Sequence, residues 1–247
     1  MTCEYWWSSV GPAAPPGLAA TPMPLAITPL EPQRPADVVL KEIAENAARS
    51  GIPVAGQTEY MEMRNWYLHS QISGGSTVSA IQPETRQPWR RPDGSGRSVT
   101  RTGEPEFRSE ADRDAWESAS GGVGERSWGP IANPRRPPTD VQELAKWLYR
   151  QNPPGSIGPI KTFVATTDHL LSERVLLPTE RAAVLRLIAD LPGLRLDGRT
   201  SDRVDRPALV FSLDSAYGAL TTSPGELNVS IPAVIKYETY LRAEFQS

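Results

Sequence analysis

The sequence is short of the residues on which most metal and nucleophile chemistry rests. It has one cysteine, Cys3, which excludes an intramolecular disulfide framework and any cysteine-cluster metal site. It has two histidines, His69 and His169, far apart in the chain. A zinc site needs three or four His, Cys or acidic ligands, and this supply is too thin for one. No run of about 18 apolar residues occurs, so no segment is expected to span a membrane. The N-terminus lacks a basic region followed by an apolar one, so no signal peptide is expected. Lysine occurs only at positions 41, 146, 161 and 236, leaving arginine to carry most of the positive charge.

Charge of one sign is also lacking. Lys+Arg 26 against Asp+Glu 29 gives a net charge of -3, without the basic stripe that nucleic acid requires. The nearest approach is Arg90, Arg91, Arg97 and Arg101 around Asp93, which reads as a solvated hairpin face. Neither a nucleic acid partner nor a cofactor is expected. The Gly-x-Ser-x-Gly elbow of the α/β hydrolases is absent. Asp93-Gly94-Ser95-Gly96-Arg97 lacks the lysine and the following helix of a phosphate-binding loop, and reads as a turn. No Gly-x-Gly-x-x-Gly follows a strand and opens a helix, which disfavours a dinucleotide fold. A Ser-His-Asp triad is a matter of geometry and not of spacing, so it stays open at this point.

Glycine and proline, by contrast, are plentiful: Gly 19 and Pro 25 together make about 18% of the chain, above the usual ~12%. Residues 1–35 hold much of the proline and read as a disordered tail, too broken for a helix or central strand. A single α+β domain is expected over 36–247. Its first helix is 36–50, with Val39, Leu40, Ile43, Ala44 and Ala47 at helical spacing. Residues 58–72 and 77–91 read as paired strands joined at Ser73-Gly74-Gly75-Ser76, with a third short strand at 97–101. In the first of these the apolar set changes from odd to even positions, which suggests a bulge. Residues 103–137 read as an irregular insertion, either a lid or disordered.

Helices follow. Thr139-Asp140-Val141-Gln142 reads as a capping box, Ile160 to Leu171 as a second helix, and Pro178-Thr179 as the start of a third ending at Pro192-Gly193. The chain then returns to strands at 194–199, 208–213, 217–221 and 233–245, the last of which also fits a short helix, with turns expected at Asp197-Gly198 and Ala216-Tyr217-Gly218. Strands, then helices, then strands argue for helices on one face of an antiparallel sheet.

The seven tryptophans are the most suggestive residues. Trp66 and Trp89 fall on paired strands and are expected to face each other. Trp116 and Trp128 lie where a core explanation is weaker. Core packing is the plainer reading. The sharper one is an apolar ligand pocket built from Trp66, Leu68, Trp89 and Trp128. Each histidine reads as structural or surface, and no catalytic residue is assigned.

Three stretches together, EYMEMRNWYLHSQI, AIQPETRQPWRRPDGSGR and LLPTERAAVLRLIADLPGLRL, resemble an uncharacterised actinobacterial family. Its members have a short cytoplasmic tail, one transmembrane helix and an extracytoplasmic domain, and are often encoded beside a sigma-factor gene. The resemblance covers roughly residues 20–245. It implies a fold similar to the lipoprotein-carrier and periplasmic sigma-regulator proteins, a curved antiparallel half-barrel with helices on its concave face. The chain departs from that family in having no transmembrane helix, so either its start lies inside a longer gene or this copy is a soluble remnant. The resemblance implies a non-catalytic extracytoplasmic sensor or regulatory module, with an anti-sigma or envelope protein as partner. A lipid or lipoprotein carrier is the alternative, and a hydrolytic enzyme the weakest of the three.

Overall fold

The structure, a computed structural model, describes residues 3–4, 21–51, 56–73, 76–116, 122–132, 134–151, 166–213, 234 and 236–247. It is a mixed α+β architecture. Strands β1 (Cys3–Glu4), β2 (Thr58–Ser73), β3 (Ser76–Arg90), β4 (Gly96–Thr102), β5 (Gly122–Trp128) and β8 (Lys236–Gln246) form one antiparallel sheet in the order β1-β8-β2-β3-β4-β5. Strands β6 (Leu194–Ser201) and β7 (Pro207–Leu213) form a separate hairpin. The helices are α1 (Ala36–Arg49), α2 (Glu110–Ala115), α3 (Val141–Gln151) and α4 (Pro178–Ala189), with a π-helical turn at Thr166–Leu171. The sheet is open, with β1 and β5 at its edges.

The main core lies among the helices. Leu40 and Ala44 of α1, Leu144 and Leu148 of α3, Leu170 and most of α4 are buried together, with Leu194 and Phe211 of the hairpin against them. Helix α4 hides Ala182, Ala183, Val184, Leu185, Leu187 and Ile188, more than one face of a helix, as expected for an element enclosed on several sides. Pro178 opens it, where a missing N–H costs nothing, and the Glu180 carboxylate accepts from the backbone N–H of Leu177 at 2.8 Å. Asp140 caps α3 by accepting from the N–H groups of Gln142 and Glu143.

The helical layer and the long sheet meet at a joint. Among the described residues, the apolar contact between the helical layer and the long sheet is one small cluster, Met61 and Phe245 against Val175 and Leu177. The segment leading into α4 thus meets the sheet at the β2/β8 end. That joint is closed by charge. Glu59, on the same sheet face as Met61, accepts from Arg136 Nη1 (2.7 Å), from Arg174 Nη2 (2.8 Å) and from the backbone N–H of Val175 (2.9 Å). Arg136 also donates to both oxygens of Glu180, at 2.7 and 2.6 Å, and to the Val175 carbonyl at 2.7 Å. Burial alone would lower the Arg136 pKa, but Glu180 and Glu59 outweigh it and hold it above its ordinary value.

Several expected elements are placed differently. Residues 21–28 do not trail away: Thr28 pairs with Arg199, and Met23 accepts from the Tyr237 hydroxyl at 2.7 Å. The stretch 103–137 contains the Ser109-capped helix α2 and the edge strand β5, paired with β4 along its whole length. Its glycines disguised the strand, which an exposed edge tolerates because little side-chain packing is asked of it. Asp197-Gly198 lies inside β6 at a register irregularity, where the absence of a Cβ lets the Thr28 carbonyl approach Gly198. The hairpin turn falls at 202–206, where Asp202 accepts from the N–H groups of Val204 and Arg206. The strand expected at 217–221 and the turn at 216–218 lie outside the described residues, as do Trp6, Trp7 and residues 160–165.

The change of apolar parity along β2 has a different cause from a bulge in that strand. Its pairing with β3 keeps one register from Glu59↔Arg90 to Ser73↔Ser76. The extra residue belongs to β8, where Met61 pairs with Ala243 but Met63 with Tyr240. Strand β2 has partners on both of its faces, and the face of Met61 stays buried through Met63 and Asn65. Met61 meets Val175 and Leu177 on one face, whereas Trp66 lies under Arg203 of the hairpin turn on the other.

Removing the Arg136 guanidinium leaves Glu180, 3% exposed, with a charge and only one backbone donor. Arg136→Met is expected to lower unfolding free energy by about 3 kcal/mol, read by urea denaturation at neutral pH. A loss below about 1 kcal/mol would show that the joint does not depend on this cation.

Candidate functional site

The register defines what each face of the sheet presents. Side chains alternate, so residues opposite one another share a face. One face carries Glu59, Met61, Met63, Asn65, Tyr67 and His69 from β2, with Arg90, Pro88, Arg86 and Glu84 opposite them on β3. The same face continues through Ser98 and Thr100 on β4 to Arg126 and Trp128 on β5. Over it lies a cleft of about 870 Å³, walled at the helical end by Glu173 and Ile131.

Trp128 holds one end of this cleft. Its indole N–H donates to the Gly94 carbonyl at 2.8 Å, and Arg90 lies 6.0 Å over its ring. The turn at 93–96 makes the seat. Asp93 accepts from the backbone N–H and the hydroxyl of Ser95, which draws its carboxyl pKa below the ordinary range, and Gly94 takes φ +78°. A Cβ on Gly96 would stand 2.2 Å from the Trp89 carbonyl oxygen and 2.6 Å from the Trp128 ring. The Asp-Gly-Ser-Gly sequence is thus a turn, as expected, and it also seats a tryptophan.

The floor is charged and hydroxylated. Glu59 is neutralised by Arg136 and Arg174. Arg90, its side chain 15% exposed, pairs with Glu173 at 3.3 Å. Burial, followed by the nearby Arg174 charge, lowers the Arg90 pKa. Ser98 is 94% buried in the floor, and its hydroxyl has no hydrogen-bond partner among the described residues. The Nε–H of Arg90 is likewise buried without a partner. At the far end Tyr67 donates to Glu238 at 3.0 Å. Burial first, then the charges of Glu238 and Glu84, raises its pKa.

The four residues expected to form an apolar pocket are divided between the two faces. Trp128 lines the cleft. Trp66, Leu68 and Trp89 point to the opposite face by register. Trp66 and Trp89 do not face each other: Trp66 stands opposite Pro83, and Trp89 opposite Tyr60, with ring centroids 5.1 Å apart. Arg97 stacks over Trp89 at 4.3 Å. The arginine group at 90–101 is divided in the same way, with Arg90 on the cleft face and Arg97 and Arg101 on the other. His69 lines the cleft at its exposed end, and the side chain of His169 lies outside the described residues.

Arg86, Ser98 and Arg126 drew no notice in the sequence. A signal for Arg86 exists: Glu84, Arg86, Pro88 and Arg90 recur at every second position, the spacing of one strand face. Ser98 carries no such signal, because its importance comes from burial.

Comparison with family models, with curated proteins and with solved structures finds no match. The functional reading therefore rests on the geometry of the cleft.

Gly96→Ala forces a Cβ against backbone and an indole, and is expected to cost about 2 kcal/mol in urea unfolding while altering tryptophan emission. Gly124→Ala, at a position with nothing within 4 Å, is expected to stay within about 0.5 kcal/mol of the wild type. Equal effects from the two substitutions would contradict the seat assigned to Trp128.

Proposed function

We propose that the protein is a non-catalytic binding module, the extracytoplasmic sensor or regulatory type that its motifs suggest, with a small polar ligand in the cleft over β2–β5. The observation that carries this reading is Ser98, a buried hydroxyl without a partner in the floor of an open cleft of about 870 Å³. An unpaired buried polar group costs about 1–3 kcal/mol, and a ligand that pairs with it recovers that loss on binding. A protein partner, an anti-sigma or envelope protein that responds to occupancy, belongs to the same proposal. So does the half-barrel form: an open antiparallel sheet with a cleft along one face is compatible with it.

The carrier alternative needs an apolar lining. The cleft instead carries Arg86, Arg90, Glu84 and Arg126 beside its apolar patch of Met61, Pro88 and Trp128. A buried alkyl chain would strip water from those charges without replacing their hydrogen bonds. The hydrolase alternative needs a serine within reach of a histidine. Ser98 lies opposite Pro88 and His69 opposite Ala80, eight residues apart on β3, or about 27 Å at the rise of an extended strand. That pair does not make a nucleophile and base.

Native mass spectrometry of the full chain, isolated from cells under gentle conditions, tests the reading. A co-purifying small molecule is expected on the wild type and lost in Thr100→Trp, whose indole would occupy the middle of the cleft. A wild type without bound ligand in any fraction, or a ligand retained by Thr100→Trp, would contradict it.

A further inference from the structure

The middle of the cleft floor is rich in arginine. Strand pairing lays its side chains on a grid. Arg86, Thr100 and Gly124 form one row across β3, β4 and β5; Pro88, Ser98 and Arg126 form the next; Arg90, Gly96 and Trp128 form the third. Ser98 is thus at the centre, with Arg126 directly beside it on one strand and Arg86 and Arg90 diagonal to it on the other. Neighbouring strands lie about 4.8 Å apart, so side chains from β3 and β5 converge over β4 across about 10 Å.

Two carboxylates that line the cleft, Glu84, which accepts from Asn65 at 3.4 Å, and Glu125, make no ion pair among the described residues; the others are matched. Glu59 is held by two arginines, Glu173 by Arg90, and Glu238 by Lys236 and Tyr67. Arg86 and Arg126 make no ion pair or hydrogen bond through their guanidinium groups among the described residues. The unpartnered groups nearest Ser98 in this grid are its own hydroxyl, the Arg90 Nε–H and the Arg86 and Arg126 guanidiniums, with Glu84 one position further along the same face of β3. Four convergent donors, two of them fully charged and otherwise unpaired, match an acceptor bearing several oxygens and a negative charge.

We infer that the row centred on Ser98 is an oxyanion-binding site, taking the carboxylate or phosphate group of a small organic anion between Arg86, Arg90 and Arg126. This deepens the cleft-binding reading and rests on it. The planar guanidinium is the side chain suited to such groups, because it presents paired N–H bonds to two oxygens at once. Pro88 within the row and Trp128 in the next provide an apolar wall for the rest of the ligand. Ser98 gives the site its selectivity. A small, buried hydroxyl accepts no bulky group and rewards an oxygen placed directly over it.

Isothermal titration of the full chain with inorganic phosphate and, separately, with citrate tests the inference. One anion or both is expected to bind with a stoichiometry of about one and to weaken steeply with added salt. Phosphate alone identifies a phosphorylated ligand, and citrate alone a carboxylate. Arg126→Gln and Arg86→Gln, both at solvent-accessible positions, are each expected to weaken binding at least about tenfold with unchanged thermal stability. Ser98→Ala is expected to weaken binding severalfold without lowering the melting temperature, since it deletes a hydroxyl that the free protein leaves unpaired. No binding of either anion at about 10 mM, or affinity unchanged in Arg86→Gln/Arg126→Gln, would overturn the inference. A neutral co-purifying ligand displaced by Thr100→Trp, with no anion binding, would overturn this inference and leave the cleft-binding reading intact.

Discussion

The Glu59–Arg136–Glu180–Arg174 cluster is the contact on which the arrangement of the molecule depends. Two carboxylates and two guanidiniums form a neutral set, drawn from the sheet, from the segment before α3, from the segment before α4 and from α4 itself. Taking these charges out of water is costly, and their mutual attraction offsets that only when the geometry is good and the remaining lone pairs are filled. Here the filling is thorough. The backbone N–H of Val175 and that of Leu177 complete the two carboxylates, and the Val175 carbonyl takes a further Arg136 N–H. Because only a small apolar cluster accompanies it, the cluster fixes orientation where apolar area alone would leave the two layers loosely related.

Orientation at that joint determines the cleft. The chain segment from Glu173 to Leu177 carries an arginine to Glu59, an apolar pair to Met61 and Phe245, and Glu173 to Arg90. Among the described residues this segment meets that face of the sheet at its end, and Met63, Asn65, Ala80 and Gln82 farther along the same face are buried as well. The opposite face is closed differently, by the hairpin turn with Arg203 over Tyr237 at 4.0 Å and by the extended stretch that contains Met23. The cleft lies on the face that Glu59 and Met61 share.

Much of the local structure was readable from pattern. The first helix, the β2–β3 hairpin, the Asp-Gly-Ser-Gly turn and the proline-opened helix follow from spacing, caps and turn chemistry. What escaped was tertiary in origin. Strand β5 is rich in glycine and exposed, so it satisfies no strand pattern and exists by pairing with β4. The parity change along β2 suggested a bulge in that strand, whereas the pairing places the extra residue in β8. The tryptophans suggested one pocket, yet register sends three of the four candidate residues to the other face. Arg136 sits among prolines that read as breakers, with no periodicity to mark it as a buried cation. In each case the missing information was the identity of the neighbour.

Native-state hydrogen exchange of the wild type and of Glu59→Gln is the most direct test of the joint. If the ion cluster makes sheet and helices one cooperative unit, the amides of Met63 in β2 and Leu185 in α4 exchange in the wild type with the same opening free energy. In Glu59→Gln the Leu185 value falls below that of Met63, because the helical layer then opens on its own. Two separate opening free energies already in the wild type, or an equal decrease at both amides in the variant, would contradict the role assigned to the cluster.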